Sequence, residues 1–311
     1  MGGVTNTDMT TLTAEEIMAK QKRSRTFSDW FFNKARGDTP FQRLIIHLIL
    51  IVLCLITIYP VSRIVTISID PRQTVIRTDL NFIPENPTFD NYLEVIEDGD
   101  IFLWLWNSVL ITASTAIIGV IVASTSAYAV SRWKFPGRRP LLVFLLTTQM
   151  IPAGMLLVPL YVLAVNLGLT NTWRGLVIAY SVQSIPFSVW ILKGYYDTIP
   201  VELEQSAMID GTSRLGAFYR IVLPLSRPAL AIVFLFNFTQ AWNDFLLARI
   251  MLQRDSMYTW PLGLQSLQGQ FQTKWGEFSA AALMVSVPVM ILYFASSKWL
   301  LSGLTLGSVK G

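Results

Sequence analysis

Six long apolar stretches constrain what this chain can fold into more than any other feature of its sequence. Each has roughly the 20 predominantly apolar residues that a helix needs to cross the hydrocarbon core of a bilayer. Apolar residues make up 52% of the 311 residues and charged residues only 14%, whereas a soluble domain is about a quarter charged. The sequence therefore predicts an all-α integral membrane protein with six transmembrane helices, over Leu44–Ile67, Leu105–Val130, Leu141–Val165, Gly175–Tyr195, Ala229–Ile250 and Phe278–Leu301.

The first stretch is too long, and starts too far from residue 1, to be a cleaved secretory signal, so we expect it to remain as a helix. The single histidine, His47, and the single cysteine, Cys54, both fall in this stretch. One thiol cannot form an internal disulfide, and no metal-ligand spacing or nucleophile–base pair can be built around these two residues. A membrane-embedded enzyme, which would need such a cluster, is therefore poorly supported.

The distribution of Lys and Arg predicts the orientation and the domain organisation. Seventeen basic residues fall in the N-terminal arm, the alternate loops and the C-terminal end, against six in the other loops, with Arg63 unassigned. Basic residues concentrate on the cytoplasmic side, so both termini are predicted to be cytoplasmic. Residues 1–43 form an arm with an amphipathic piece, Thr26–Arg36, that can lie on the membrane surface. Residues 44–301 form the transmembrane domain and 302–311 a tail, and the net charge of only +4 does not favour a nucleic-acid partner.

Segment 197–228 is predicted to be a helix–turn–helix on the cytoplasmic face. Its first helical run ends at Gly211, a residue suited to the left-handed conformation that stops a helix. Thr212 or Ser213 can cap a second helix, which Pro224 and Pro228 are predicted to end as the chain turns back into the membrane. A short helix carrying small residues can sit in a cleft on another protein and transmit its motion to the flanking spans. An ordinary interfacial hairpin is the alternative.

The spacing in this segment resembles the cytoplasmic signature loop of ATP-binding-cassette import permeases. The family pattern is Glu-Ala-Ala, three residues, Gly, nine residues and then Ile-x-Leu-Pro, and every spacing is met here. The family's glutamate is replaced by glutamine in this chain, which keeps the size of the side chain but loses the charge. The resemblance implies that the following residues couple the permease to an ATPase: Glu204, Gln205, Ser206, Ala207, Met208, Asp210, Gly211, Ile221, Leu223 and Pro224.

The resemblance to the family covers about Leu44 to Gly311. Within this range, the sequence is similar to the maltose-type branch of the family over Trp104–Gly137 and Phe278–Gly311. The ending resembles that of the smaller of the two permease subunits in that branch. It implies the six-helix fold of type I importer permeases in the bacterial cytoplasmic membrane. It also implies that the tail contacts the ATPase dimer through Gly307, Ser308, Val309, Lys310 and Gly311.

The function that the resemblance implies is the import of maltose, maltodextrin or a related oligosaccharide. The implied partners are the lipid bilayer, an ATPase dimer, a second homologous permease subunit and an extracytoplasmic sugar-binding protein. The sequence has no Gly-rich phosphate loop ending in Gly-Lys-Ser/Thr, so ATP and Mg²⁺ are expected on the ATPase and no cofactor on this chain. Another solute, such as a polyol or glycerol phosphate, is an alternative. An ion-coupled secondary transporter is a further one, but the sequence shows neither paired ionisable groups near the midplane nor clear repeated halves.

Polar side chains within the predicted spans are candidates for a sugar path, because sugar hydroxyls need donors and acceptors. Hydrogen bonding between helices is the alternative for each of them. Asp244, the only acidic residue predicted within a span, is a functional candidate on that ground, but it lies near the outer end of its helix, which favours a water-exposed acid. The proline-interrupted third and fourth spans are predicted to wall the cavity. The candidates are Asn107, Gln149, Gln183, Asn237, Gln240 and Asn243, with Tyr128 and Tyr180 as further possibilities.

Overall fold

The computed structural model of the protein describes residues 40–74, 83–97, 100–269 and 273–306. The amphipathic piece 26–36 and the tail residues 307–311 lie outside these ranges. The described residues form helices joined by turns, with no β-strand among them. The α-helices are α1 Pro40–Ser68, α2 Asp90–Glu97, α3 Ile101–Arg132, α4 Arg138–Thr148, α5 Ala153–Asn166, α6 Trp173–Tyr196, α7 Val201–Ile209, α8 Arg214–Ala217, α9 Leu223–Leu225, α10 Arg227–Trp242, α11 Leu246–Met251, α12 Trp260–Ser266 and α13 Trp275–Leu306.

The contacts within the chain separate two compact units, Met1–Arg63 and Ile64–Gly311. The described part of the first unit is the apolar helix α1 up to Arg63. Its polar side chains bond to the backbone of their own helix: Thr57 Oγ1 donates to the Leu53 carbonyl at 2.8 Å, and Ser62 Oγ to the Tyr59 carbonyl at 2.7 Å. In the hydrocarbon core of a bilayer, hydroxyl groups must form their hydrogen bonds within the protein, because no water is there to accept them. These bonds to the helix backbone meet that requirement.

Four helices are long and apolar enough to cross a membrane, namely α1, α3, α6 and the Trp275–Ser297 part of α13. Two further pairs pass the same test when joined. α4 and α5 meet at an angle of 102°, and Arg214–Leu225 meets α10 at 77°. The described chain therefore has four candidate crossings, or up to six if each bent pair counts as one, and the all-helical membrane fold is confirmed.

The predicted third span, Leu141–Val165, is interrupted where α4 ends and α5 begins. Pro152 has no N–H with which to continue the helix, and it restricts Ile151 to an extended conformation. The predicted fifth span likewise stops at Trp242, before the short helix α11. These breaks leave backbone groups at membrane depth that must face protein or water, which is the arrangement expected of the wall of a cavity.

The second unit is organised around α3 and α6, which pack on each other more extensively than any other pair of helices, with α10 against both. Fully buried alanines on α3, Ala116, Ala123 and Ala127, allow the helices to approach closely. Gly119 lies on α3 directly against Asn237 of α10. This close packing places the polar side chains of α6 and α10 side by side.

A glycine at the start of α6 is predicted to be essential for stability. A Cβ atom on Gly175 would lie against the backbone oxygen of Leu169, well inside van der Waals contact, whereas one on Gly194 in the same helix would meet nothing within 4 Å. We expect Gly175→Ala to lower the free energy of unfolding by about 1–3 kcal/mol, as overpacking does. Gly194→Ala is the matched control and should raise it by about 0.5–1 kcal/mol. Thermal unfolding of the detergent-solubilised protein measures both, and equal melting temperatures would contradict the packing described.

Candidate functional site

The segment 197–228, which we call the 197–228 hairpin, folds as two helical pieces around a glycine turn. Gly211 has a φ of +88°, the left-handed conformation predicted for it. The turn is closed by hydrogen bonds from Gly211 N to the Met208 carbonyl at 3.1 Å and from Thr212 N to the Ala207 carbonyl at 3.0 Å. Ser213 Oγ then accepts a hydrogen bond from Gly216 N at 3.1 Å and caps α8. The turn chemistry expected from the sequence is therefore confirmed.

The second helical piece continues past Pro224 and ends before Pro228, so it stops between the two prolines predicted to end it. A π-helical turn over Phe218–Val222 joins α8 to α9, and the helical run stops only at Ser226, whose N–H donates to the Val222 carbonyl at 3.0 Å. The wider π turn shifts the carbonyl with which the proline ring would clash in a regular α-helix. The chain therefore turns into α10 between Pro224 and Pro228.

The residues predicted to couple to an ATPase divide into three groups by exposure. The large apolar side chains of Ile209 and Leu215, which neighbour the exposed members of this set, are themselves 86% and 68% exposed. An exposed face of this kind, with small polar and large apolar side chains together, is suited to contact with another protein. Gln205, Ser206, Asp210, Gly211 and Pro224 are exposed, Ala207, Met208, Ile221 and Leu223 are partly buried, and Glu204 is buried.

Glu204 faces away from this exposed surface and forms a buried ion pair with the end of α3. Arg132 Nε lies 2.6 Å from Glu204 Oε1, and the two side chains are 7% and 6% exposed. Tyr128 donates its hydroxyl proton to Glu204 Oε2 at 2.7 Å. Arg132 also donates to the Ile199 carbonyl at 3.2 Å. Glu204 therefore attaches α7 to α3, and its carboxylate is turned away from any partner of the exposed face.

Aromatic packing joins the second half of the hairpin to the same end of α3. The ring of Phe218 stacks on Tyr128 at 4.5 Å between centroids, and Tyr196 meets both rings edge-on at 6.5 Å. The Arg214 guanidinium lies 5.8 Å from the ring centre of Trp133. Both halves of the hairpin are thus held against α3, so a force on either half reaches that helix.

A second ion pair fixes the start of the hairpin. Asp197 accepts from Lys193 Nζ at 2.6 Å and from Ser131 Oγ at 2.6 Å. Burial raises the pKa of Asp197, but the hydrogen bonds from Lys193 and Ser131 outweigh it and hold the pKa below its usual value. The Asp197 carboxylate therefore stays ionised and keeps α6 and α3 together where the hairpin begins.

Two cavities with shared walls lie further along the second unit. The smaller has a volume of about 250 Å³ and the larger about 680 Å³, and Ala153, Gln183 and Gln240 line both. The larger is lined mainly by α4, α5 and α6, which are the proline-interrupted segments predicted to wall the sugar path. Gln149 lines the larger cavity, and Asn237 and Asn243 line the smaller one.

Asn107 differs from the other predicted path residues, because it is not among the residues lining these cavities. It is fully buried, and its Nδ2 donates to the carbonyls of Ser256 and Tyr258 at 3.0 Å each. Asn107 instead connects the segment after α11 to α3. Hydrogen bonding within the protein, the alternative to sugar binding for each candidate amide, is therefore its role.

Sequence reasoning missed the role of Arg132 and expected a different environment for Asp244. In the sequence, Arg132 contributed only to the count of basic residues that predicts the orientation. The one nearby signal of its role was Tyr128, which lies one helical turn before it. Asp244 was expected to be a water-exposed acid, but it is half-buried and lines the smaller cavity. Its Oδ1 accepts from the Tyr180 hydroxyl at 2.9 Å and from the backbone N–H groups of Leu247 and Ala248 at 3.1 Å each.

Bent apolar helices, a cavity partly lined by amides and a helical hairpin attached to one end of the bundle are features expected of a membrane permease. The family described as "Binding-protein-dependent transport system inner membrane component" matches residues 115–305, and the chain belongs to this family. Within the described residues, no group of three or more His, Cys, Asp or Glu side chains could hold a metal ion.

Relatives of known name align over nearly their whole length. The chain is 36% identical over 269 residues to the galactooligosaccharides transport system permease protein GanQ of Bacillus subtilis (strain 168), covering 85% of this chain and 94% of GanQ. It is 36% identical over 286 residues to the maltose/maltodextrin transport system permease protein MalG of Escherichia coli (strain K12), covering 86% and 95%. A bacterial ABC transporter involved in the import of the acidic polysaccharide alginate has the same fold, with a TM-score of 0.74, 22% identity and coverage of 88% and 98%.

The chain is therefore a multi-pass inner-membrane permease subunit of a binding-protein-dependent ABC importer. Such a permease has no catalytic activity, and ATP is hydrolysed by a separate subunit. Membership also implies a partner permease and a binding protein as components of the same system.

Proposed function

We propose that this chain forms one half of the translocation path of an importer for maltose, maltodextrin or a related oligosaccharide. The printed functions of GanQ and MalG support a sugar substrate, since both relatives align over most of the chain. The amide-lined cavity supports it as well, because amides can both donate to and accept from sugar hydroxyls. A polyol or glycerol phosphate is the alternative substrate.

The observation that carries the mechanism is the two-sided construction of the 197–228 hairpin. One side presents Gln205 and Ser206 to the surroundings, and the other buries Glu204 against Arg132. In the proposed mechanism the exposed side docks into a cleft of the ATPase dimer, which holds ATP and Mg²⁺. When the ATPase subunits close on nucleotide, the hairpin moves, and the buried pair transfers this motion to α3. The cavity beside α6 and α10 then opens towards the outside.

The orientation belongs to the same proposal. Both termini and the hairpin lie in the cytoplasm, as the excess of basic residues on that side predicts. The binding protein delivers sugar at the opposite face, and a homologous permease subunit completes the path. Tail residues 307–311 reach towards the ATPase dimer and add a second contact.

Reconstitution of the importer tests this proposal. Proteoliposomes containing this chain, its partner permease and the ATPase are expected to import a radiolabelled oligosaccharide only when ATP and the external binding protein are both supplied. The matched control lacks the ATPase and should show no uptake above background. Uptake driven by a proton gradient without ATP would instead indicate a secondary transporter and contradict the proposal.

A further inference from the structure

The cavity wall contributed by this chain carries a single charge, and that charge is negative. The described residues that line the two cavities include amides, hydroxyls and apolar side chains, with Asp244 as the sole ionisable acid and neither Lys nor Arg among them. Asp244 lines the smaller cavity, of about 250 Å³, which shares Ala153, Gln183 and Gln240 with the larger one of about 680 Å³. A partly buried acid within a predicted span marks a functional candidate, so Asp244 needs an explanation.

The two oxygens of Asp244 have different surroundings. Oδ1 takes all three hydrogen bonds, from Tyr180, Leu247 and Ala248, and these hold the carboxylate in one orientation. Within the described part of the chain, Oδ2 accepts no hydrogen bond, and the half-buried side chain lines the smaller cavity together with Gln183, Gln240 and Asn243. A role confined to capping α11 would need only Oδ1, so the free oxygen is available to a ligand.

We propose that Asp244 is a specificity-determining residue that accepts a hydrogen bond from a hydroxyl of an uncharged sugar and excludes sugars that carry carboxylates. This inference rests on the proposed function and names the chemical class of its substrate. A hydroxyl can donate to Oδ2, whereas a uronate carboxylate has only acceptors and the same sign of charge. At a separation of a few ångströms in a partly desolvated site, like charges repel strongly, and this wall offers no cation to neutralise either of them.

The test compares two sugars in the complete importer: maltotriose, and maltotriose whose non-reducing glucose is oxidised at C6 to the carboxylate. The binding protein has preferences of its own, but it is the same in every assay, so a change in the uptake ratio between variants reports on the permease. For Asp244→Asn we expect the ratio of oxidised to neutral uptake to rise at least about tenfold, with neutral uptake falling a fewfold. The asparagine keeps an acceptor oxygen for Tyr180, Leu247 and Ala248, but it removes the charge and replaces Oδ2 with an amide nitrogen that donates instead of accepting, which is why neutral uptake falls as well.

Asp255→Asn is the matched control, because it removes the charge of an exposed acid that lines neither cavity, and its ratio should stay at the wild-type value. If Asp244 only caps α11, Asp244→Asn would slow both sugars equally and leave the ratio unchanged, which would overturn the inference while the proposed function stands. If the wild-type importer takes up neither maltotriose nor a neutral galactooligosaccharide in an ATP-dependent way, the proposed function fails, and the inference fails with it.

Discussion

Replacing Arg132 with alanine is expected to abolish ATP-linked sugar uptake and to lower the free energy of unfolding by about 3–5 kcal/mol. The substitution leaves the buried Glu204 carboxylate without its charged partner beneath α7. An unpaired buried charge either draws water into the packing or forces the helix away. In both cases α7 loses its attachment to α3, and movement of the 197–228 hairpin no longer reaches the cavity.

Two further variants make this prediction specific. Arg139→Ala removes an exposed basic residue a few positions along the chain and should leave stability and uptake near wild type. The double variant Arg132→Met with Glu204→Leu replaces the ion pair by apolar side chains of similar size and should recover most of the lost stability. Denaturant unfolding followed by tryptophan fluorescence, with uptake measured in proteoliposomes, gives both quantities. Wild-type stability and uptake in Arg132→Ala would show that the buried pair is dispensable.

Replacing Gly211 with proline is expected to eliminate ATP-linked uptake while the protein still inserts into the membrane. Proline is confined to a φ near −65°, whereas residue 211 has a φ of +88°. The substitution also removes the N–H that donates to the Met208 carbonyl and closes the turn. The two halves of the hairpin then separate, and the exposed face of α7 is no longer presented in a fixed orientation. A bulky side chain at the half-buried Ala207, such as tryptophan, should have the same effect by displacing α7.

Gly211→Ala is the matched control, because alanine keeps the N–H and adopts the left-handed conformation at a cost of about 1–2 kcal/mol. Partial uptake is expected for it and none for the proline variant. Membrane fractionation and immunodetection establish insertion, and ATP-dependent uptake establishes coupling. Full transport by Gly211→Pro would mean that the geometry of this turn has no part in coupling.

The fold was largely predictable because its signals are local. Long apolar runs mark the helices, and glycine, serine and proline mark the turns, so the all-helical membrane architecture and the Gly211 turn followed from the residues themselves. The sharp angle between α4 and α5 was not predictable. Pro152 marks an interruption in the sequence, but the packing of distant helices determines whether an interrupted span bends slightly or by 102°.

The candidate site was less predictable, because its decisive contacts join residues far apart in the chain. Glu204 and Arg132 are 72 positions apart, and a glutamate beside a signature motif looks the same in the sequence whether it faces a partner or its own bundle. Asn107 and Gln183 likewise look alike as amides in spans, yet one fastens a loop and the other lines a cavity. Only the relative rotation of packed helices decides between such roles.

The central claim is that the exposed face of the 197–228 hairpin contacts the ATPase from the cytoplasmic side. Ser206→Cys, in a background with Cys54→Ser, places a single thiol on that face, and a photoreactive maleimide attached to it can be cross-linked in the assembled importer. The account predicts a covalent adduct with the ATPase subunit whose yield changes when ATP is added. No adduct with the ATPase, together with labelling of the introduced thiol by an impermeant reagent added outside intact cells, would contradict it.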